Sequence, residues 1–376
     1  MKKLSVVVLL VFLLTALAAC GTDNSTIYES YPTNAPVDTV SDSNDNAYET
    51  TTYEQENTTE PITEILNEII IGNTVACTSW DVLDLSGQLL TEVELAPLKY
   101  MENLTWLNLG HNAIADLSLT PIPEMTNLTH LNLSSNRFTN EYGEIDFLRD
   151  ISPLANLTNL VALHISGNML DGITALSYLT NLTELQLSGS FISDITPLAN
   201  LTDLAGLDLS FNFIVDISPL ANLTALQYLQ LNTNRSAYDT SFDLNYLTNL
   251  TNLQSLGLRH SQLEDITPLS VLTNLTWLDL TGNYNITDIT PLSNLINLEA
   301  LSLENTTINN LTPLTSLTNL YWLNLNELNW DDDQFPPLTD LSPLAGLRNL
   351  GVLSLLDHGD YITDWSPVDH VEQIIQ

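Results

Sequence analysis

The chain has 376 residues, of which 46 are acidic and only eight are basic, so its formal net charge at pH 7 is −38. A protein with this charge repels nucleic-acid phosphates and anionic membrane surfaces, and the composition therefore argues against both as partners. It favours a basic protein, or a partner bridged by divalent cations. The two cysteines are too few for a disulfide framework, so apolar packing must hold the fold together.

Residues 1–19 have the pattern of an export signal. Lys2 and Lys3 precede an apolar run over residues 4–19, which is shorter than the roughly 20 residues that a membrane-spanning helix requires. The run closes on Leu17-Ala18-Ala19-Cys20, which resembles the bacterial lipobox. The resemblance implies that the signal is cut before Cys20 and that acyl chains on its thiol hold the protein to a membrane, at about 0.8 kcal/mol per buried methylene. An uncleaved transmembrane anchor is the alternative.

Residues 20–60 predict a lipidated, disordered tether. Residues 21–60 contain no leucine, lysine or arginine and are rich in Asp, Glu, Ser, Thr and Asn, so they cannot form an apolar core. With Cys20 assigned to the lipid, Cys77 has no disulfide partner. We expect Cys77 to be a small buried residue and not a reactive thiol.

Residues 61–79 predict an N-terminal cap. Apolar residues at helical spacing follow Pro61, and Gly72 ends the run, which favours one short amphipathic helix. The residues of this run are Ile62, Ile65, Leu66, Ile69 and Ile70. A solenoid needs such a cap because the apolar end face of its first repeat would otherwise be exposed to water.

Residues 80–356 contain about twelve repeats with a base period of 22 residues. The pattern Leu-x-x-Leu-x-Leu recurs with its central leucine at Leu83, Leu107, Leu131, Leu163, Leu185, Leu207, Leu229, Leu256, Leu278, Leu301, Leu323 and Leu353. Alternation through Leu207 and Leu209 predicts a short strand with both leucines inward and Asp208 outward. Ser218-Pro219 then reads as an N-cap followed by proline at the first position of a helical turn.

This pattern predicts an α/β fold, a leucine-rich-repeat solenoid with a parallel concave sheet, short 3-10 or irregular convex turns and a helical N-terminal cap. Residues 357–376 are assigned to a C-terminal cap, because polar and bulky residues replace the leucines there. Asparagines expected to satisfy backbone groups at the strand ends are Asn112, Asn136, Asn168, Asn212, Asn234 and Asn283. Aspartates interpreted as closing the convex turns, with a metal-binding column as the alternative, are Asp194, Asp216, Asp265 and Asp288.

The unit Asp-Ile-Thr-Pro-Leu-x-x-Leu-Thr-Asn-Leu resembles the repeat of bacterial internalin-type leucine-rich-repeat proteins, over roughly residues 61–376. The resemblance implies a binding scaffold that holds a partner protein on its concave sheet. No immunoglobulin-like module and no Leu-Pro-x-Thr-Gly motif follows the repeats in this sequence. The resemblance therefore implies the scaffold and its mode of binding, but not invasion of or adhesion to a host cell.

The outward strand positions predict a concave face on the order of 50 Å long, because twelve strands lie about 4.8 Å apart. One outward column, just before the central leucine, holds Trp106, His130, Glu184, Tyr228, Trp277 and Trp322. The next two columns include His164, Asp208, Asp279, Arg259 and Glu304. Exposed aromatic residues are the usual anchors of protein interfaces, so this face is predicted to bind the partner. Single aromatics that merely shield the backbone are the alternative.

Three spacings between central leucines are longer, at 32, 27 and 30 residues, because residues are inserted after the strand. The inserted segments are 137–150, 235–246 and 326–340, and we expect them on one edge of the solenoid, framing the binding face. Their candidate contact residues are Arg137, Tyr142, Arg235, Tyr238 and Trp330, and Phe242 is among the other aromatics.

Signals for other chemistry are weak. Asp331, Asp332 and Asp333 could bind calcium, but no EF-hand spacing surrounds them, and a solvated acidic loop is favoured. His130 and His164 could share a zinc ion, but no third ligand is evident. No nucleophile motif, phosphate loop or dinucleotide fingerprint appears, so we expect neither a cofactor nor enzymatic activity.

The sequence thus predicts a lipid-anchored scaffold outside the cytoplasm that recognises a protein through its concave face and edge loops. The alternative is a glycan-binding lipoprotein. In that case Trp106, Tyr228, Trp277 and Trp322 stack on the sugar rings of a surface polymer.

Overall fold

Short parallel strands, one in each repeat, form a sheet of thirteen strands. The computed structural model describes residues 68–140, 142–234, 241–326, 338–356 and 361–375. In chain order the strands are β1 (Glu68–Ile71), β2 (Thr74–Cys77), β3 (Val82–Asp84), β4 (Trp106–Asn108), β5 (His130–Asn132), β6 (Arg137–Thr139), β7 (Ile145–Phe147), β8 (Ala162–His164), β9 (Glu184–Gln186), β10 (Gly206–Asp208), β11 (Tyr228–Gln230), β12 (Ser255–Gly257), β13 (Trp277–Asp279), β14 (Ala300–Ser302), β15 (Trp322–Asn324), β16 (Val352–Ser354) and β17 (Gln373–Ile375). The hairpins β1–β2 and β6–β7 are separate from the long sheet.

Single turns of 3-10 helix connect the strands on the convex side. They span Ala96–Tyr100, Leu117–Leu119, Ile122–Glu124, Ser152–Asn156, Thr174–Tyr178, Thr196–Leu198, Ser218–Leu220, Leu244–Leu247, Thr267–Val271, Thr290–Asn294, Thr312–Leu314, Ser342–Leu344 and Ser366–Val368. In the part of the chain that the structure describes, no helix is long and apolar enough to cross a membrane. The predicted solenoid with a parallel sheet and short 3-10 turns is confirmed.

The register of the sheet follows the predicted leucines. Leu207 of β10 pairs with Leu185 of β9 on one side and Leu229 of β11 on the other, and all three are fully buried. The same alignment holds for all twelve predicted central leucines. Each leucine removed from water contributes about 2 kcal/mol, so the column and its neighbours form one continuous core.

The C-terminal segment 357–376 contains one strand more than the leucine count predicts. Strand β17 pairs in parallel with β16 and places Ile374 opposite Leu353. Sequence reasoning missed this strand because isoleucine stands at the leucine position and polar residues surround it. Strand β17 lies at the end of the sheet, where Gln373 and Ile375 are exposed.

The N-terminal end of the described chain is a hairpin. Glu68–Ile71 pairs antiparallel with Thr74–Cys77, and Gly72, at φ 57°, begins the two-residue turn. Ile69 and Ile70, predicted on a helix, lie instead on β1, so the helix predicted from Pro61 does not extend to Gly72. The β-branched run Ile69–Ile71 favours a strand. The earlier residues of the predicted helix, 61–67, lie outside the described residues.

Cys77 ends this hairpin and is buried, as predicted, with 2% of its surface exposed. Its thiol is not free in the structure but disulfide-bonded. The expectation that Cys77 has no disulfide partner is therefore wrong. The other cysteine of the sequence, Cys20, lies outside the described residues.

The predicted asparagine column satisfies backbone groups inside the solenoid. Nδ2 of Asn212 donates to the carbonyls of Leu187 at 2.9 Å and Leu209 at 3.0 Å. Its Oδ1 accepts from the backbone N–H groups of Ser190 and Ile192, both at 3.0 Å. Each such side chain thus joins two neighbouring repeats. The remaining members are buried in the same position: Asn112, Asn136, Asn168, Asn234 and Asn283.

The convex turns are closed by aspartate, and not by the hydroxyl residue that the sequence suggested as N-cap. Ser218 is the first residue of its 3-10 turn, and its backbone N–H donates to Oδ1 of Asp216 at 2.8 Å. The same contact is made by Asp194, Asp265, Asp288, Asp340 and Asp364. The structural interpretation of this aspartate column is confirmed. The Ser218 side chain does not cap the turn, because Ser218 is itself inside the turn and cannot reach the free N–H groups at the start of the turn.

Replacing Asn212 with alanine should destabilise the fold by about 3 kcal/mol or more, because buried backbone groups of two repeats lose their partners. Urea unfolding of the protein measures this change. Asn222, exposed on the same repeat, is the matched control, and Asn222→Ala should change stability by less than about 0.5 kcal/mol. Equal stabilities of the two variants would show that the asparagine column is dispensable.

Candidate functional site

The concave face carries the predicted outward column in register. In the column just before the central leucine, β4 and β5 carry Trp106 and His130, and β11, β13 and β15 carry Tyr228, Trp277 and Trp322. Tyr228 is 43% exposed, and both tryptophans are half-buried and lie outside the leucine core. The alternation rule thus predicted these positions correctly.

The second outward column is recessed along the C-terminal half of the sheet. Gln230, Asp279, Ser302 and Asn324 are all buried, although their positions point away from the leucine core. Each of the four makes a hydrogen bond or an ion pair with a neighbouring polar side chain. The predicted contact residue Asp279 therefore belongs to the floor of the concave face and not to its accessible surface.

Arg259 and Asp279 form an ion pair on this floor. Nε of Arg259 lies 3.6 Å from Oδ2 of Asp279, whose side chain is only 9% exposed, whereas that of Arg259 is 46% exposed. Glu304 is held nearby, since Nδ2 of Asn324 donates to its Oε2 at 2.7 Å. Arg259 and Glu304 thus keep accessible surface, but both are fixed in place by neighbours.

Towards the N-terminal half, Glu184 of β9 lies beside His164 of β8, and His130 is on the next strand, β5. Oε1 of Glu184 is 2.9 Å from Nε2 of His164 and accepts from Nε2 of Gln186 at 3.1 Å. The bond with His164 and the charge of nearby His130 hold the pKa of Glu184 below its ordinary value, against the effect of burial. The carboxylate is therefore ionised at neutral pH. Among the described residues, no group of three or more His, Cys, Asp or Glu residues could hold a metal ion.

Asp208 and Tyr228 form a second ionisable pair, on β10 and β11. Burial raises the pKa of Asp208, although its Oδ1 accepts from the backbone N–H of Ser210 at 2.9 Å. Burial and the negative charge of Asp208 together raise the pKa of Tyr228. The carboxylate of Asp208 is thus partly buried beside the exposed ring of Tyr228.

The first edge insertion forms a hairpin, β6–β7, whose tip exposes Tyr142. Arg137 begins the hairpin and is exposed. Arg149 beside it pairs with Asp146 at 3.0 Å and Asp171 at 3.5 Å. The predicted residues Arg235, Tyr238, Trp330, Asp331, Asp332 and Asp333 lie outside the described residues. Phe242, also counted among the loop aromatics, is instead packed in the core with 7% of its surface exposed.

Sequence reasoning missed an apolar patch on the edge where the strands end. Phe191 and Phe213 occupy equivalent positions in consecutive repeats, with ring centroids 5.7 Å apart. Phe211 is two residues before Phe213 in the chain. All three are exposed. The available signal was the repetition of phenylalanine at a fixed offset after the second leucine of the strand.

A second asparagine column, on the opposite edge, was also missed. Nδ2 of Asn274 donates to the carbonyl of Thr251 at 2.8 Å, and Asn297 makes the same contact with Thr273. These asparagines border a polar groove that also includes Gln227, Gln254, Thr276 and Glu299. The recurrent Leu-Thr-Asn-Leu segment was the signal for this column.

Comparison with known proteins identifies the class first. The leucine-rich-repeat family model matches residues 80–138, and the model of two leucine-rich-repeat copies matches residues 180–222 and 251–294. With the thirteen-stranded sheet, these matches define the chain as a leucine-rich-repeat solenoid. No curated protein matches the sequence.

Similarity to solved structures identifies the family within this class. An internalin, InlF, from Listeria monocytogenes is 31% identical, with a TM-score of 0.66, over 80% of this chain and 89% of that one. The chain therefore belongs to the internalin-like leucine-rich-repeat proteins. A leucine-rich-repeat protein of Leptospira interrogans is 22% identical (TM-score 0.48; 79% and 90% covered). The receptor TLR13, solved in complex with ssRNA13, is 21% identical (TM-score 0.54; 79% and 46% covered) and shares the fold.

Asp208→Asn should stabilise the fold at pH 7. The folded-state pKa of Asp208 is raised, so its ionisation costs stability above that pKa, and the cost disappears below about 3.9, the pKa of an unfolded aspartate. Asparagine keeps an oxygen for the Ser210 N–H without the charge. Urea unfolding measured from pH 7 down to about pH 3 should show a gain that fades with acidification.

Asp194→Asn is the control of opposite sign. Hydrogen bonds from Thr196 lower the pKa of Asp194, so its stabilisation is present at pH 7 and is lost as the pH falls through that lowered value. The variant should be destabilised at pH 7. A destabilised Asp208→Asn variant at pH 7 would contradict the interpretation that burial works against this charge.

Proposed function

We propose that the protein is a surface-anchored binding scaffold that recognises a protein partner through its concave face and the edge carrying the insertions, without catalysing a reaction. The single observation that carries this proposal is the column of Tyr228, Trp277 and Trp322, which lies outside the core and keeps part of its surface open to solvent. Exposed aromatic side chains on a rigid sheet lose little entropy on binding and are frequent hot spots.

The charge of the chain supports a basic partner. The net charge of −38 gives a field that accelerates encounter with cations and repels polyanions. On the concave face, ionised Glu184, partly buried Asp208 and fixed Glu304 add a local negative potential to this field. A basic protein, or one bridged by divalent cations, therefore fits this face better than a nucleic acid does.

Trp277→Ala and Trp322→Ala should each weaken partner binding by about 2 kcal/mol or more, roughly thirtyfold in affinity, because they remove a hot-spot anchor. Stability should hardly change, since neither ring belongs to the leucine core. Surface plasmon resonance with a partner captured from surface extracts measures the first effect, and thermal unfolding measures the second.

The matched control for these variants is Tyr178→Ala, which removes an exposed aromatic ring from the convex side. It should leave binding unchanged. If all three variants bind equally well, the concave face is not the interface. A glycan array run in parallel tests the second candidate function, in which the same aromatic rings stack on sugars.

Anchoring through Cys20 is part of the proposal. It is supported by the lipobox-like residues 17–20 after a short apolar run, and it requires that Cys20 is not the disulfide partner of Cys77. Cys20→Ala should release the protein from the membrane fraction, because acyl chains supply its membrane affinity. Fractionation with a carbonate wash measures this. Cys77→Ser is the control and should stay in the membrane pellet. Intact mass of the wild-type chain identifies the fate of Cys20: added acyl mass supports the proposal, and a disulfide with Cys77 contradicts it.

A further inference from the structure

Large and small residues alternate along the first outward column. Across the seven neighbouring strands β9–β15 the residues in register are Glu184, Gly206, Tyr228, Ser255, Trp277, Ala300 and Trp322. Gly206, Ser255 and Ala300 each keep part of their surface open to solvent between two larger neighbours. The row therefore presents three depressions, which we call the Gly206, Ser255 and Ala300 slots.

The spacing of the slots is set by the sheet. Successive slots are two strands apart, which is about 9.6 Å for strands separated by about 4.8 Å. A polyproline II segment has three residues per turn and rises about 3.1 Å per residue, so it presents the same face every 9.3 Å or so. A β-strand ligand presents the same face about every 6.8 Å. Among extended peptides, the slots match the polyproline II conformation.

The side walls of two slots are aromatic. The Ser255 slot lies between Tyr228 and Trp277, and the Ala300 slot lies between Trp277 and Trp322. Proline-rich segments dock in aromatic-lined grooves because their conformation is already ordered before binding and their rings pack on aromatic faces. These two slots therefore fit proline side chains three residues apart.

The third slot is acidic. Glu184 and Tyr228 flank Gly206, and Asp208 follows Gly206 on the same strand. A Cβ atom built on Gly206 would have Cγ of Glu184, at 3.9 Å, as its near neighbour, so the space above this glycine is open. A lysine or arginine side chain placed there would meet an ionised carboxylate and the partly buried carboxylate of Asp208.

We propose that this row binds a basic, proline-rich segment of a partner protein in the polyproline II conformation, with prolines in the Ser255 and Ala300 slots and a lysine or arginine in the Gly206 slot. The inference rests on the proposed function and names its partner class. It requires a cationic residue three positions from the first docked proline and six from the second.

Two synthetic peptides about ten residues long, roughly three polyproline II turns, test the proposal. Both consist of proline with one arginine, placed at the first end in one peptide and at the last end in the other, because such segments can bind in either direction. A peptide with the same arginine in a glycine–serine sequence is the control. Quenching of tryptophan fluorescence in the mature chain measures affinity. At least one proline peptide should bind ten times or more tighter than the control.

Variants that fill the slots give the sharpest test, because they leave the aromatic rings in place. Ala300→Leu and Gly206→Leu should each weaken binding of the proline peptide at least tenfold, and Trp277→Ala should do the same. Gly206→Leu should also reduce the salt dependence of binding, since it blocks the acidic slot while the net charge of the chain is unchanged. Tyr178→Ala is the control, because its exposed ring lies on the convex side, away from the row, so affinity should be unchanged.

Three outcomes would overturn the inference. Equal binding of the glycine–serine control would show that charge alone attracts the peptide. Unchanged binding by Ala300→Leu would show that the slots are not used. Quenching of tryptophan fluorescence by a β-1,4-linked N-acetylglucosamine oligomer, without binding of either proline peptide, would assign the row to a glycan. If a captured protein depends on Trp277 but no proline peptide displaces it, the scaffold function stands and this inference fails.

Discussion

The structure depends on satisfying backbone polar groups where each strand turns into the interior of the solenoid. A buried carbonyl or N–H without a partner costs about 1–3 kcal/mol, and the turn recurs in every repeat. The asparagine column supplies these partners, and each member bonds to its own repeat and the preceding one, as Asn212 does to Leu209 and Leu187. The repeats therefore stack at a fixed register, because a shift of one repeat against the next would break these hydrogen bonds.

This arrangement also fixes the backbone before each asparagine. The preceding residue has a positive φ in each case, and it is glycine only before Asn168 and Asn283, at Gly167 and Gly282. Elsewhere a side chain bears the strain, as at Phe211, with φ 57°, and Thr233, with φ 55°. Phe211 is exposed, so core packing does not account for its retention. Strain of this kind tends to persist where a site uses it, which draws attention to the Phe191, Phe211 and Phe213 edge.

Much of the fold could be read from the sequence because leucine alternation fixes strand faces and the period fixes register. Twelve central leucines were placed correctly for this reason. Short apolar runs without such repetition were ambiguous: Ile69 and Ile70 fit a helix or a strand, and only pairing with Thr74–Cys77 decides. The recessed position of Asp279 could not be predicted either, since it depends on how the neighbouring Arg259 side chain folds over it. The outward direction of a residue is a local property, whereas its accessibility depends on neighbouring repeats.

The composition of the concave face is not dictated by the repeat. In the first outward column, Trp106 and His130 are on the neighbouring strands β4 and β5, so two large residues are adjacent there. From Glu184 to Trp322, in contrast, every second strand carries a small residue. Core packing imposes no such rule, because these positions lie outside the leucine column. The partly dry charge of Asp208 works against stability in the same region. The proposed ligand row thus combines an alternation of residue size that the fold does not require with a charge kept at a cost to stability. Natural binding sites retain such features against the preference of the fold.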